Sequence, residues 1–135
     1  MCEREITSRD VTSAFGRIAF NNYVHVPMPT SGARPGAEQF EVARRFYRFE
    51  LMRLKPHLSL VFARRVWNNL PTGGQRITGS STRDMWLYDL PSGKVLVGWL
   101  RHPSTRWRYH GWRDDTEVDC AREYIRLARS FHGIE

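Results

Sequence analysis

The chain has 135 residues, with 21 Lys and Arg against 14 Asp and Glu and a formal charge of +7. That length suits one domain, residues 1–135, able to bury roughly two-thirds of the surface its unfolded form exposes, so no disulfide framework is needed. The two cysteines, Cys2 and Cys120, form no CxxC pair or His/Cys cluster, which argues against a zinc site, and no apolar run approaches membrane-spanning or signal-peptide character.

A reduced, cytoplasmic setting without metal or cofactor is therefore expected. Lysine occurs only at positions 55 and 94, so arginine carries nearly all the positive charge. Guanidinium groups suit planar, bidentate phosphate contacts better than ammonium groups do. Nucleic acid is the natural partner to consider, with a solvated basic surface as the alternative.

Residues 1–16 mix charges with Ser and Thr and read as an arm. IAFNNYVHV, residues 18–26, is rich in β-branched and aromatic residues and reads as a strand. The three prolines and two glycines of residues 27–36 make a loop. From Ala37 to Lys55 the pattern is helical: Phe40, Ala43, Tyr47, Leu51 and Leu54 share one face. Val42, Phe46 and Phe49 form a second apolar stripe, which predicts packing on more than one side. Arg44, Arg45, Arg48 and Arg53 fall toward water, and Pro56 ends the helix.

HLSLVFA, residues 57–63, has the length and apolarity of a buried parallel strand. A short helix over residues 64–70 stops at Pro71 and the Gly73-Gly74 turn, and a polar loop runs to Arg83. MWLYDL and VLVGWL flank the turn PSGK and predict a hairpin. A final helix starts at Asp114-Asp115-Thr116, with Thr116 and Asp119 at capping-box spacing and Val118, Ala121, Ile125 and Ala128 on its apolar face.

These elements predict an α/β fold with a small, mainly parallel sheet. A right-handed crossover would join strand 18–26 to strand 57–63. In such folds ligands gather at the carboxyl ends of the strands. Topology alone would bring Asn21-Asn22, Arg64-Arg65 and His102-Pro103-Ser104 to that edge.

At this point the order of elements resembles the uracil-DNA glycosylase superfamily, nearest its iron–sulfur-type and related bacterial and archaeal branches. The resemblance runs from about Ile18 to Trp112. It rests on FNNYVHVPMP followed by RPGAEQF, on LMRLKPHLSLVFARRVWNNL, and on HPS at 102–104 after a strand. It implies a three-layer sandwich, reduced at the N-terminus, that binds single- or double-stranded DNA in a DNA-repair setting. Carried over, Asn21 would read the edge of a flipped uracil, with Asn22 as the alternative if the register slips by one. His102 would stabilise the leaving base as the catalytic residue of an N-glycosyl hydrolase, and Ser104 would touch a backbone phosphate.

The residue types suit that chemistry. An amide offers donor and acceptor together to a base edge. An imidazole can stabilise the departing uracil anion. Arg101, Arg106, Arg108 and Arg113 would neutralise phosphates, and Trp107 or Tyr109 would fill the gap left by the flipped base.

The family's first motif, a Gly-Asp/Glu-x-Pro-Gly loop that positions the hydrolytic water, has no counterpart in the twenty residues before Asn21. Ala63 stands where the family carries glycine, and the cluster cysteines are absent. Three functions therefore stay open: base excision, nucleic-acid binding without chemistry, and a protein-interaction module. In the last, a sheet edge left open by a missing strand would pair with a partner chain or a second copy.

Overall fold

The computed structural model describes residues 7–9, 13, 16–25, 30, 32–78, 83–102 and 115–134. A long helix, α1, spans Ala37–Leu54. The Gln39 side chain accepts from the Gly36 amide at 2.9 Å at the start. At the end, Lys55 adopts left-handed backbone (φ 50°) and its amide donates to the Leu51 carbonyl at 3.0 Å. Pro56 lacks an N–H, so the helix cannot resume.

Strand β1, Leu58–Phe62, leads directly into a four-residue helix, α2, Arg64–Trp67. Strands β2 (Gln75–Thr78), β3 (Asp84–Leu90) and β4 (Gly93–Leu100) follow, and helix α3, Asp115–Phe131, comes last. The four strands form one sheet in the order β1-β4-β3-β2. β3 and β4 make the expected hairpin, with Leu90 paired to Gly93 across Pro91-Ser92.

Among the described residues only β1 and β4 run parallel; β2–β3 and β3–β4 are antiparallel, so the sheet is mixed and not mainly parallel. The reason lies in the segment 18–25, which forms no strand. β-rich composition describes fit to a half-buried pleated surface, and without a paired neighbour it creates no strand. Tyr23 straps the segment against the helical layer, its hydroxyl donating to the Asn69 carbonyl at 2.6 Å and its ring lying against Phe40 and Tyr47. Ile18 and Phe20 remain 59% and 79% exposed. β2 sits where a polar loop was expected, because QRIT is an edge strand whose outer groups need no apolar cover.

Alternation along the strands sends side chains to two cores. Val61, Tyr88, Leu90, Val95 and Val97 join Leu51 of α1 on one face. Met85, Leu87, Leu96 and Leu100 join Cys120, Tyr124 and Ala128 of α3 on the other. The buried stripe of α3 is thus Glu117, Cys120, Tyr124 and Ala128, and Ile125 is exposed. Of the expected face, Ala128 is buried and Ala121 packs against the same core, whereas Ile125 falls outside it because Glu117 and Tyr124 take the central positions. The helix starts at Asp115, within the expected Asp114-Asp115-Thr116 cluster.

Phe40, Ala43 and Leu51 of α1 are buried as expected, but Leu54 is exposed. Val42, Phe46 and Phe49 are exposed as well, because this chain's sheet covers one side of the helix only. Arg45, Arg48 and Arg53 face water, whereas Arg44 is half-buried and bonds the Asn69 carbonyl and side-chain oxygen at 3.1 Å each. Among the described residues, no helix is long and apolar enough to cross a membrane.

Candidate nucleic-acid interface

Parallel pairing of β1 with β4 sets Phe62 beside Leu100, and the Ala63 amide donates to the Leu100 carbonyl at 3.1 Å. Both strands therefore end at one edge of the sheet. Arg64 and Arg65 leave β1 there, and Arg101 and His102 leave β4. Antiparallel β3 starts at the same edge with Arg83 just before it. Two of the three segments expected to converge do so by strand pairing.

The third arrives by another route. Tyr23 lies 6.4 Å from Phe40 between ring centroids, and the Arg65 guanidinium sits over that same Phe40 ring at 5.5 Å. This stack holds the segment carrying Asn21 and Asn22 on the α1 side of the edge. Both asparagines are exposed, as is His102. Ser104, Arg106, Trp107, Arg108, Tyr109 and Arg113 lie outside the described residues.

Beneath the edge is a buried ion pair that spacing did not reveal. Arg83 donates through Nη1 to Glu117 Oε2 at 2.6 Å and through Nη2 to Oε1. The Glu117 side chain is 0% exposed and that of Arg83 8%. Arg83 also lies 4.4 Å over the Trp99 ring. The Arg101 amide donates to Glu117 Oε2 at 2.8 Å, and its Nε approaches Oε1 at 3.6 Å. Burial alone would raise the Glu117 carboxyl. The Arg83 guanidinium, the Arg101 amide and the two positive charges outweigh it and hold the carboxyl below its ordinary value. The Arg83 guanidinium is correspondingly raised, mainly by its hydrogen bonds to Glu117.

Glu117 is therefore an anchor for the edge and unsuited to activating water, since its lone pairs are taken. It fixes where Arg101, and with it His102, leaves the sheet. Thirty-four residues separate Arg83 from Glu117, so no local pattern pairs them. The only sequence signal was an acid in the first turn of a helix, which helix charge alone explains.

Ala63 turns the chain from β1 into α2 at φ 116° and ψ 135°, a region that favours glycine. Such strain costs on the order of 1–3 kcal/mol at a residue with a Cβ. Ala63→Gly is expected to raise stability by about 1 kcal/mol net, after glycine's added unfolded-state entropy. Thermal denaturation checks this, with Ala63→Val as the opposing control that lowers the midpoint.

Among the described residues, no group of three or more His, Cys, Asp or Glu is placed to hold a metal ion. The arrangement offers guanidinium groups and one exposed imidazole at a single edge, suited to contacting phosphates. Comparisons with protein-family models, with characterised proteins and with solved structures found no match to this chain.

Proposed function

We propose that the chain is a DNA-binding α/β domain of uracil-DNA glycosylase-like descent that grips backbone phosphates at the carboxyl edge of β1 and β4. The carrying observation is the Phe62–Leu100 register, which brings Arg64 and Arg65 to the same edge as Arg101 and His102. One helix core on each face of the sheet supports the three-layer reading of that fold. The Arg/Trp segment after His102 extends the basic edge in sequence, with Ser104, Arg106, Trp107 and Arg108 directly following.

The reading is of a binder without base excision. Glu117, the fully buried carboxylate at this edge, is committed to Arg83 and Arg101.

Binding of a labelled uracil-containing oligonucleotide across a salt series tests this. Arg64→Gln with Arg65→Gln is expected to weaken binding and to reduce the slope of log K against log salt by about two. Arg45→Gln with Arg48→Gln, on the outer face of α1, serves as the comparison and is expected to change the slope less. An unaltered slope in the first pair would remove the edge from the interface. Release of uracil that disappears in His102→Ala would overturn the silent reading and make His102 catalytic.

A further inference from the structure

The opposite end of the sheet carries a second basic cluster that the edge above does not use. Gly93 and Leu100 bound β4 and lie roughly 23 Å apart along the strand at about 3.3 Å per residue. There, a hollow of about 230 Å³ has Lys55, His57, Ser92, Lys94 and His132 in its wall. Lys55 and Lys94 are the chain's only lysines.

The hollow is built from four elements. Lys55 caps α1, His57 precedes β1, Ser92 and Lys94 belong to the hairpin, and His132 follows α3. The His57 and His132 rings lie 4.6 Å apart. His132 Nε2 donates to the His57 carbonyl at 3.2 Å, and the Leu96 amide donates to the same oxygen at 3.3 Å. That holds the His132 ring against the His57 backbone, in the wall that also carries the two lysines.

Two features weigh against an anion here, and neither prevails. Asp89 is the cross-strand neighbour of Lys94 but makes no ion pair with it among the described residues. The last carbonyls of α3 also point toward this end. Those of Ala128, Arg129 and Ser130 already accept from the amides of His132, Ile134 and Gly133.

The Ser92 hydroxyl oxygen is buried without a hydrogen-bond partner. A buried hydroxyl left unpaired costs about 1–3 kcal/mol, so a turn of the Ser92 side chain that brings the hydroxyl to a ligand acceptor in the hollow is favoured. We propose that this hollow binds a phosphate-class dianion, free or as a small monoester, held by Lys55, Lys94 and the Ser92 hydroxyl beside the two imidazoles. Ligand pockets for drug-sized molecules start near about 300 Å³, which restricts this site to a small anion.

The test is a titration of the folded chain with inorganic phosphate at constant ionic strength, following the His57 and His132 imidazole resonances, with chloride as the control. Saturable shifts specific to phosphate are expected. Lys55→Asn, which tolerates left-handed backbone, combined with Lys94→Gln is expected to weaken binding about tenfold or more. Ser92→Ala is expected to weaken it about three- to tenfold. If the double variant loses its thermal transition, Ser92→Ala alone carries the comparison. Linear shifts, equal shifts with chloride, or unchanged affinity in Ser92→Ala would overturn the site. A 5′-phosphorylated oligonucleotide that competes where its unphosphorylated form does not would assign the anion to a nucleic-acid end. Competition by ribose 5-phosphate alone would assign it to a free monoester. Equal competition by the unphosphorylated oligonucleotide would overturn the proposal in favour of a backbone contact.

Discussion

Glu117→Ala is expected to cost the fold about 3–5 kcal/mol, because it leaves the Arg83 guanidinium buried and uncompensated. Chemical denaturation of the single variants and of the double replacement Arg83→Met with Glu117→Leu reads the effect. The double replacement is expected to recover most of the loss, since an apolar pair of similar volume avoids both desolvation penalties. Simple addition of the two single costs would show that the pair is not coupled.

The same carboxylate sets a pH dependence. Its folded-state value lies below the ordinary carboxyl value of about 4.3, so its contribution is fully present above that pH. The contribution is lost as pH falls through the lower, folded value. Stability measured from pH 6 to pH 2 is expected to decline more steeply in the native chain than in the Arg83→Met, Glu117→Leu double variant. Parallel curves would mean that Glu117 titrates alike in both states.

Gly98→Ala is the second large effect. A Cβ at Gly98 would stand 2.5 Å from Tyr124 Cδ2, 2.7 Å from Cε2 and 2.8 Å from Cγ. Those atoms are the body of a fully buried ring, whose hydroxyl is held by the Trp99 carbonyl at 3.0 Å. The ring cannot swing away without losing that bond or shifting α3. A cost of about 2–3 kcal/mol, or a Tm drop of roughly 5–10 °C, is expected. Tyr124→Phe, which keeps the ring and removes the hydroxyl bond, is expected to cost only about 1 kcal/mol. A Gly98→Ala midpoint equal to that of the native chain would mean that α3 does not rest on the sheet at Gly98.

Much of the architecture was legible where one element carries its own signal. α1 could be read from apolar spacing and from Pro56, and the hairpin from two apolar runs around Pro91-Ser92. β1 was legible as a short apolar run between Pro56 and the arginines. The edge residues Arg64, Arg65, Arg101 and His102 followed from strand ends once β1 and β4 were placed.

The segment 18–25, β2 and the buried stripe of α3 were not legible, because each depends on a partner distant in the chain. IAFNNYVHV has strand composition but finds no paired backbone, and Tyr23 draws it to Asn69 instead. QRIT is polar yet pairs with β3, because an edge strand needs hydrogen bonds on one side only. Local periodicity and punctuation thus determined α1, β1 and the β3–β4 hairpin, since those signals arise from contacts between near neighbours. Tertiary structure alone decided the mixed sheet and the burial of Glu117 on Arg83. Each of those arises from pairing between groups far apart in the chain, where burial and charge compensation, not spacing, select the partner.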